Sequence, residues 1–204
     1  LLVYGDYDVD GISSTALLVE MLTELGWNTQ PYLPGRFDDG YGLSPVSAEK
    51  CLEQFEIDLV LAVDCGSTSV DAIDFLNEKK IDVLVLDHHQ VSIPPPNPVA
   101  MVNPQLCDDY PNFQELCSVG LAFKLAHAIV KRGRQEGLQK ERDLDLKQFL
   151  DLVALGTVAD LVPLVGENRK LLRSGLEQLA ETTRHGLVAL KKIANVSRPV
   201  SVFN

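Results

Sequence analysis

The apolar positions of this chain fall into short, nearly unbroken runs separated by segments with helical spacing. Residues 1–5, 58–64 and 81–86 are such runs. They lack polar alternation, as in strands of a parallel sheet covered on both faces. Residues 29–33 predict a further strand and 99–102 an edge strand. Between them, Ile12, Leu18, Leu22 and Leu25 mark a helix over 12–25; Val46, Cys51, Leu52 and Phe55 mark a second, capped by Ser44 or Ser47; Val70, Ile73 and Leu76 mark a third. Strand and helix alternate from residue 1 to residue 89. The alternation predicts an α/β fold, a doubly wound, mainly parallel sheet with flanking helices.

After Cys117 the pattern becomes helical. Residues 119–130 are apolar on nearly every face and predict a buried helix, followed by a charged surface connection over 133–141. Residues 146–158 predict a helix ending at Asp160. Residues 167–180 are amphipathic, with Leu171, Leu172, Leu176 and Leu179 on one stripe, and a short helix lies near 187–193. The expected organisation is one domain over 1–181, with a sheet part at 1–103 and a helical part at 117–181. Residues 182–204 then form a terminal helix and the start of a linker.

Composition narrows this picture only slightly. The 204 residues can bury roughly 70% of their unfolded surface without staples. The apolar runs are strand-sized, so no membrane span is expected. The four cysteines form no CxxC pair, which suits reduced thiols in the cytoplasm. The net charge of −11 argues against a broad basic surface that coats nucleic acid. Bound divalent cations or a basic partner domain would offset that charge, so nucleic acid stays open. The chain begins inside a strand without an initiator Met, as expected of a piece cut from a longer protein.

The candidate chemistry lies at strand ends. Residues 84–86 run into Asp87, His88 and His89; residues 3–5 run into Asp6, Asp8 and Asp10; residues 61–63 run into Asp64. Ligands of open α/β sheets bind outside the carboxyl ends of the strands. Asp8 and Asp10, two apart, point to one side if the chain stays extended, and two carboxylates that close favour a cation between them. A solvated acidic turn is the bland alternative. Asp6 is read as orienting a ligand, with direct ligation as the alternative. Asp64 alone would suit a turn cap; its interest is its position one strand–helix unit before His88. An adjacent histidine pair behind a carboxylate is uncommon, and Asp87 is placed to fix an imidazole tautomer. His127 and His185 lack acidic neighbours and are read as structural. Asp160 is an acid among apolar residues at a helix end, which a metal would satisfy. Oxygen and imidazole donors without thiolate suit Mn²⁺ or Mg²⁺ better than structural Zn²⁺.

Taken in order, GDYDVDG, VDCGST, LDHHQ and GTVADLVPL resemble the four motifs of the DHH phosphoesterase superfamily. The first and fourth, with PGRFDDGYGLS and SVGLAFKLAHAI, resemble its RecJ subfamily of single-strand-specific 5′→3′ DNA exonucleases. The resemblance covers residues 1 to about 181. It implies metal-dependent phosphodiester hydrolysis in DNA repair and recombination, with two Mn²⁺ or Mg²⁺ ions. The implied ligands are Asp8, Asp10, Asp64, His88 and Asp160, with Asp64 bridging the ions. His89 would contact the scissile phosphate, and Arg36 would lie near the nucleic acid. Implied partners are single-stranded DNA, repair proteins such as a helicase or single-strand-binding protein, and a C-terminal DHHA1 domain absent here. Tyr4 stands where many relatives carry histidine, which would weaken the first metal. Other substrates of the superfamily (pyrophosphate, oligoribonucleotides, cyclic dinucleotides) and a non-catalytic scaffold at a replication fork are the alternatives.

Overall fold

The computed structural model describes residues 1–35, 42–106, 113–196 and 199–202. Five strands, β1 (Leu2–Tyr4), β2 (Gln30–Tyr32), β3 (Leu59–Val63), β4 (Asp82–Leu86) and β5 (Ala100–Val102), form one sheet in the order β2-β1-β3-β4-β5. Every neighbouring pair is parallel. The doubly wound reading therefore holds, and β5 is an edge strand as expected. From β1 the chain winds first to β2 and then back past β1 to β3. That reversal opens a crevice at the carboxyl ends of β1 and β3.

The pleat sends alternate side chains into two cores. Val3, Leu61, Val63 and Leu86 face α1 (Val9–Glu24) and the later helices, while Leu2, Tyr4, Val60, Ala62, Val83 and Val85 face α2 (Pro45–Gln54) and α3 (Val70–Glu78). Ser44 and Ser47 both cap α2, each side chain accepting from the other residue's backbone N–H. The first helix starts three residues earlier than expected. Asp8 accepts from the Gly11 N–H and starts the helix at Val9.

The helical part differs from expectation at one corner. The helix α4 (Ser118–Gln135) is buried at its start, but His127 and Ala128 are exposed, so it is one-sided rather than buried all round. The expected surface connection is instead the last turn of α4 and a short helix α5 (Gln139–Asp143). Arg134 holds the corner closed by donating to the Glu141 and Leu144 carbonyls. A charged stretch thus satisfies buried backbone acceptors, which its composition hides.

Then follow α6 (Leu150–Ala159), α7 (Gly166–Glu181) and α8 (His185–Ile193). His185 is exposed, like His127, so neither histidine belongs to the core. Leu187 of α8 is buried in the same core as α1 and α4, and Arg184 anchors the start of α8 on the buried carboxylate of Asp151 at 3.0 Å. Among the described residues no helix is long and apolar enough to cross a membrane.

The α6–α7 packing depends on Gly175. A Cβ there would lie 2.4 Å from the Leu150 carbonyl oxygen and 2.7 Å from Ala154 Cβ. Both are rigid atoms, so Gly175→Ala should force the helices apart. The expected loss is about 1–3 kcal/mol of stability, read in denaturant melts. An unchanged midpoint would show that the two helices slide freely.

Candidate active site

Each sequence-predicted acid sits where an element ends. Asp6 follows β1, and Asp8 caps α1, whose first turn carries Asp10. The helix start overturns the extended geometry expected for Asp8 and Asp10. Asp8 is exposed with one oxygen on the Gly11 N–H, whereas Asp10 is turned inward and buried. Asp64 follows β3 in the left-handed region at φ +64°, which aspartate tolerates better than most residues. Asp87, His88 and His89 follow β4, and Asp160 ends α6.

Three of these acids meet at one imidazole. His88 Nε2 lies 3.5 Å from Asp64 Oδ1, 3.8 Å from Asp160 Oδ2 and 3.9 Å from Asp10 Oδ2. The donor atoms that lie within 4.8 Å of one another form two neighbouring sets, Asp64 with His88 and His89, and Asp10 with Cys117 and Asp160, and His88 Nε2 joins them. His88 Nε2 and both oxygens of Asp64 are buried without a hydrogen-bond partner of good geometry. Orphaned donor atoms in a buried cluster are costly unless something compensates them. Asp8 stands apart from this set, although its charge helps to raise the Asp64 and Asp160 carboxyls. Asp6 is also buried; one oxygen accepts from the Tyr7 N–H at 2.7 Å and the other is orphaned.

The electrostatics follow from burial. Desolvation, then the Asp10 and Asp8 charges, push the Asp64 carboxyl up to about 10. Burial raises Asp10 to about 6, opposed by the Val119 N–H. Asp160 is raised as well, by burial first. It also stands at a helix C-terminus, where the backbone dipole disfavours an anion. So many carboxylates in one buried place require a cation or protons.

Asp10 has a second role that sequence reasoning missed. Its oxygens accept from the Ser118 N–H at 2.7 Å and the Val119 N–H at 2.9 Å, so it caps α4 from 108 residues away. Each oxygen keeps a further lone pair for a cation. Close approach of α6 to this pair needs Gly156, where a Cβ would lie 2.7 Å from Val119 Cγ1 and 3.0 Å from Asp10 Oδ1.

His89 stands beside the cluster, half-exposed. Its Nδ1 is 2.8 Å from Asp87 Oδ1, so Asp87 orients His89 through its ring, and His88 only through the backbone N–H. The Asp87 bond, against partial burial, raises His89 to about 9. Burial pushes Asp87 the other way, yet bonds from His89 and the Ser67 N–H hold it below the usual carboxylate range. Asn103 braces the loop by donating to the His89 carbonyl and Ser67 hydroxyl, both at 2.8 Å. Nothing in the sequence around Asn103 signals this, because the contact crosses from the edge strand.

Three further residues complete the comparison. Tyr4 is buried in the core under α2 and α3, its hydroxyl 2.9 Å from the Gly42 carbonyl, to which it donates, and 2.8 Å from Ser47 Oγ. Its hydroxyl is committed there, so Tyr4 does not itself reach the cluster. Arg36 lies outside the described residues. Cys117 Sγ lies within 4.8 Å of donor oxygens of Asp10 and Asp160, a neighbour the sequence did not suggest. Burial pushes its thiol well up, and it donates to Thr157 Oγ1, so a ligating thiolate is disfavoured.

Residues 1–157 match the DHH family, N-terminal domain. The chain belongs to the DHH family. Among DHH family relatives, it is 43% identical over 201 residues to the single-stranded-DNA-specific exonuclease RecJ of Haemophilus influenzae, covering 96% of this chain and 34% of that protein. The RecJ of Thermus thermophilus is 38% identical over 186 residues, covering 91% of this chain and 26% of the other. A crystal structure of exonuclease RecJ bound to manganese superposes with a TM-score of 0.82 at 35% identity, covering 98% of this chain and 49% of that one. The chain thus spans about a third or less of the length of these curated relatives.

The raised carboxyls dictate a pH dependence. Asp64 and Asp10 bind protons more tightly folded than unfolded, so the stability this contributes is complete below the unfolded carboxyl pKa of about 4. It is lost as pH rises through about 6 for Asp10 and about 10 for Asp64. In EDTA, thermal melts should therefore fall from pH 5 to pH 9, and Asp64→Asn should flatten the decline. A melting temperature that rises over this range would remove the strained acid cluster from consideration.

Proposed function

We propose that this chain is the catalytic part of a metal-dependent phosphodiesterase that degrades single-stranded DNA from the 5′ end, in DNA repair and recombination. The observation that carries the reading is the convergence of Asp10, Asp64 and Asp160 on His88 Nε2 at 3.5–3.9 Å, at the carboxyl end of the sheet. The RecJ relatives support the single-stranded substrate, and the manganese-bound RecJ structure supports the metal. The donor set fits Mn²⁺ or Mg²⁺ on its own chemistry: hard carboxylates with one imidazole, and a neutral thiol excluded.

Asp10, Asp64, His88 and Asp160 would hold the ion, and Asp8 at the rim would complete a second. Divalent cations bound there supply the Lewis acidity that activates water and neutralises charge on phosphate oxygens. The residues of the chain do the rest. The α4 N–H groups keep the Asp10 carboxylate from rotating, and both Asp64 oxygens are buried in the cluster. His89, with Nδ1 on Asp87 and a ring nitrogen within 4.8 Å of donor atoms of Asp64 and His88, would be a charged donor to a phosphate oxygen or the leaving oxygen. A charged imidazole so placed gains affinity as negative charge grows in the transition state.

Asp64→Ala and His88→Ala should abolish hydrolysis of a labelled single strand in Mn²⁺ while the protein stays folded. Strands blocked at either end give the polarity, and a 5′ block should stop degradation. Full activity of Asp64→Ala, in a preparation free of contaminating nuclease, would refute the site.

The His89–Asp87 pair makes a separate prediction. His89 carries its charge below about 9 and loses it above, so activity should decline on the alkaline side near that pH. Asp87→Asn removes the anion that raises His89, which should bring the alkaline limb toward neutrality and cost about 10²–10⁴-fold in rate. An unmoved limb would mean that His89 does not act as the imidazolium.

A further inference from the structure

Leu161 directly follows Asp160 at the end of α6, and it is placed at two disadvantages. Its φ is +59°, a left-handed conformation that disfavours residues with a Cβ. Helices that end this way usually place glycine there. The side chain is also 88% exposed, so packing does not offset the backbone. The chain therefore holds a large apolar side chain out in water beside the cluster, since Asp160 Oδ2 is 3.8 Å from His88 Nε2. Single exposed apolar residues need no explanation. This one has company, because Val9, between Asp8 and Asp10, and Ile12, one turn after Asp8, are exposed by 40% and 44%. Apolar groups thus flank proposed ligands on both α1 and the end of α6. Local strain at such a place is expected where function maintains it.

We infer that Leu161 is a substrate-contacting residue, whose side chain packs against a base of the single strand beside the scissile phosphate. The inference rests on the phosphodiesterase reading above. Unpaired bases expose apolar faces that side chains can cover without sequence preference, whereas stacking and pairing in a duplex hide them. An apolar contact here adds grip to a net −11 chain that has little positive charge to offer the backbone. Leucine is retained at a position suited to glycine because the side chain has something to touch.

The test compares the chain with Leu161→Gly, Leu161→Asn and Leu161→Met, in Mn²⁺, on labelled oligothymidylate. Glycine and asparagine relieve the left-handed turn, so neither should lower the melting temperature, and Leu161→Gly should raise it by about 2–4 °C. Both should raise KM for the strand by about tenfold, the scale of one buried aliphatic group. Leu161→Met should stay close to the parent, and calorimetric Mn²⁺ affinity should be the same in all four proteins. Unchanged KM in Leu161→Gly overturns the inference, as would be seen if a protein surface rather than a base covers Leu161. A lower melting temperature with the higher KM also overturns it, since Leu161 would then be structural. Weakened Mn²⁺ binding overturns it too, because Leu161 would act through Asp160. If the parent chain cleaves and binds no single strand in Mn²⁺, the phosphodiesterase reading fails first and the inference falls with it.

Discussion

The hydrogen bonds from Ser118 and Val119 to Asp10 hold this structure together where it matters. They join the first turn after β1 to the first turn of α4, more than a hundred residues later. An anion at a helix N-terminus is favoured by the backbone dipole and by N–H groups that otherwise lack partners. The same carboxylate faces His88. One side chain therefore fixes the helical part on the sheet and points at the centre of the cluster. Its loss would leave two buried N–H groups unpaired as well as remove a donor, so stability and chemistry cannot be separated at this position.

Around Asp10 the fold gathers acids that repel one another. Their elements oppose or favour them unequally: Asp8 and Asp10 gain from the start of α1, whereas Asp160 sits at the unfavourable end of α6. Asp64 has no such help and is the most strongly raised. The cluster is thus least content as a set of free anions, and best suited to bound cations. His89 is treated in the opposite way. Its partner Asp87 is kept ionised by donors, so a positive charge stands beside the acids at the rim. Acids that favour a cation inside and a charged imidazole outside would place positive charge on two sides of a phosphate, as the proposed function requires.

Much of this was legible in the sequence, for identifiable reasons. Parallel strands buried on both faces leave continuous apolar runs, so β1, β3 and β4 declared themselves, and their tips pointed to Asp6, Asp64 and Asp87. The histidine pair was legible because it interrupts such a run. What stayed hidden depends on distant partners. The capping of α4 by Asp10 and the Asn103 brace join residues far apart in the chain, and nothing local reports them. The start of α1 was readable in principle, since an aspartate before Val9 is a helix cap, but the neighbouring acids drew attention to an extended loop instead. Tyr4 was readable too. Leu2 and Tyr4 share one face of β1 while Val3 takes the other, so Tyr4 belongs with the core under α2.

The position of the cluster also explains why the second half of the chain is needed at all. A doubly wound sheet brings the tips of β1, β3 and β4 together on its own, and these supply Asp10, Asp64 and His88. They leave one side of the imidazole uncovered. Closing it takes Asp160, which can reach His88 only if α6 passes close to the start of α4, and Gly156 is what permits that approach. The buried helices α4 and α6 are therefore a support that delivers a fourth donor and two backbone N–H groups to a crevice the sheet has already opened. The acids are distributed in the same way: the strand tips set where they meet, and the helices set how tightly they are held there.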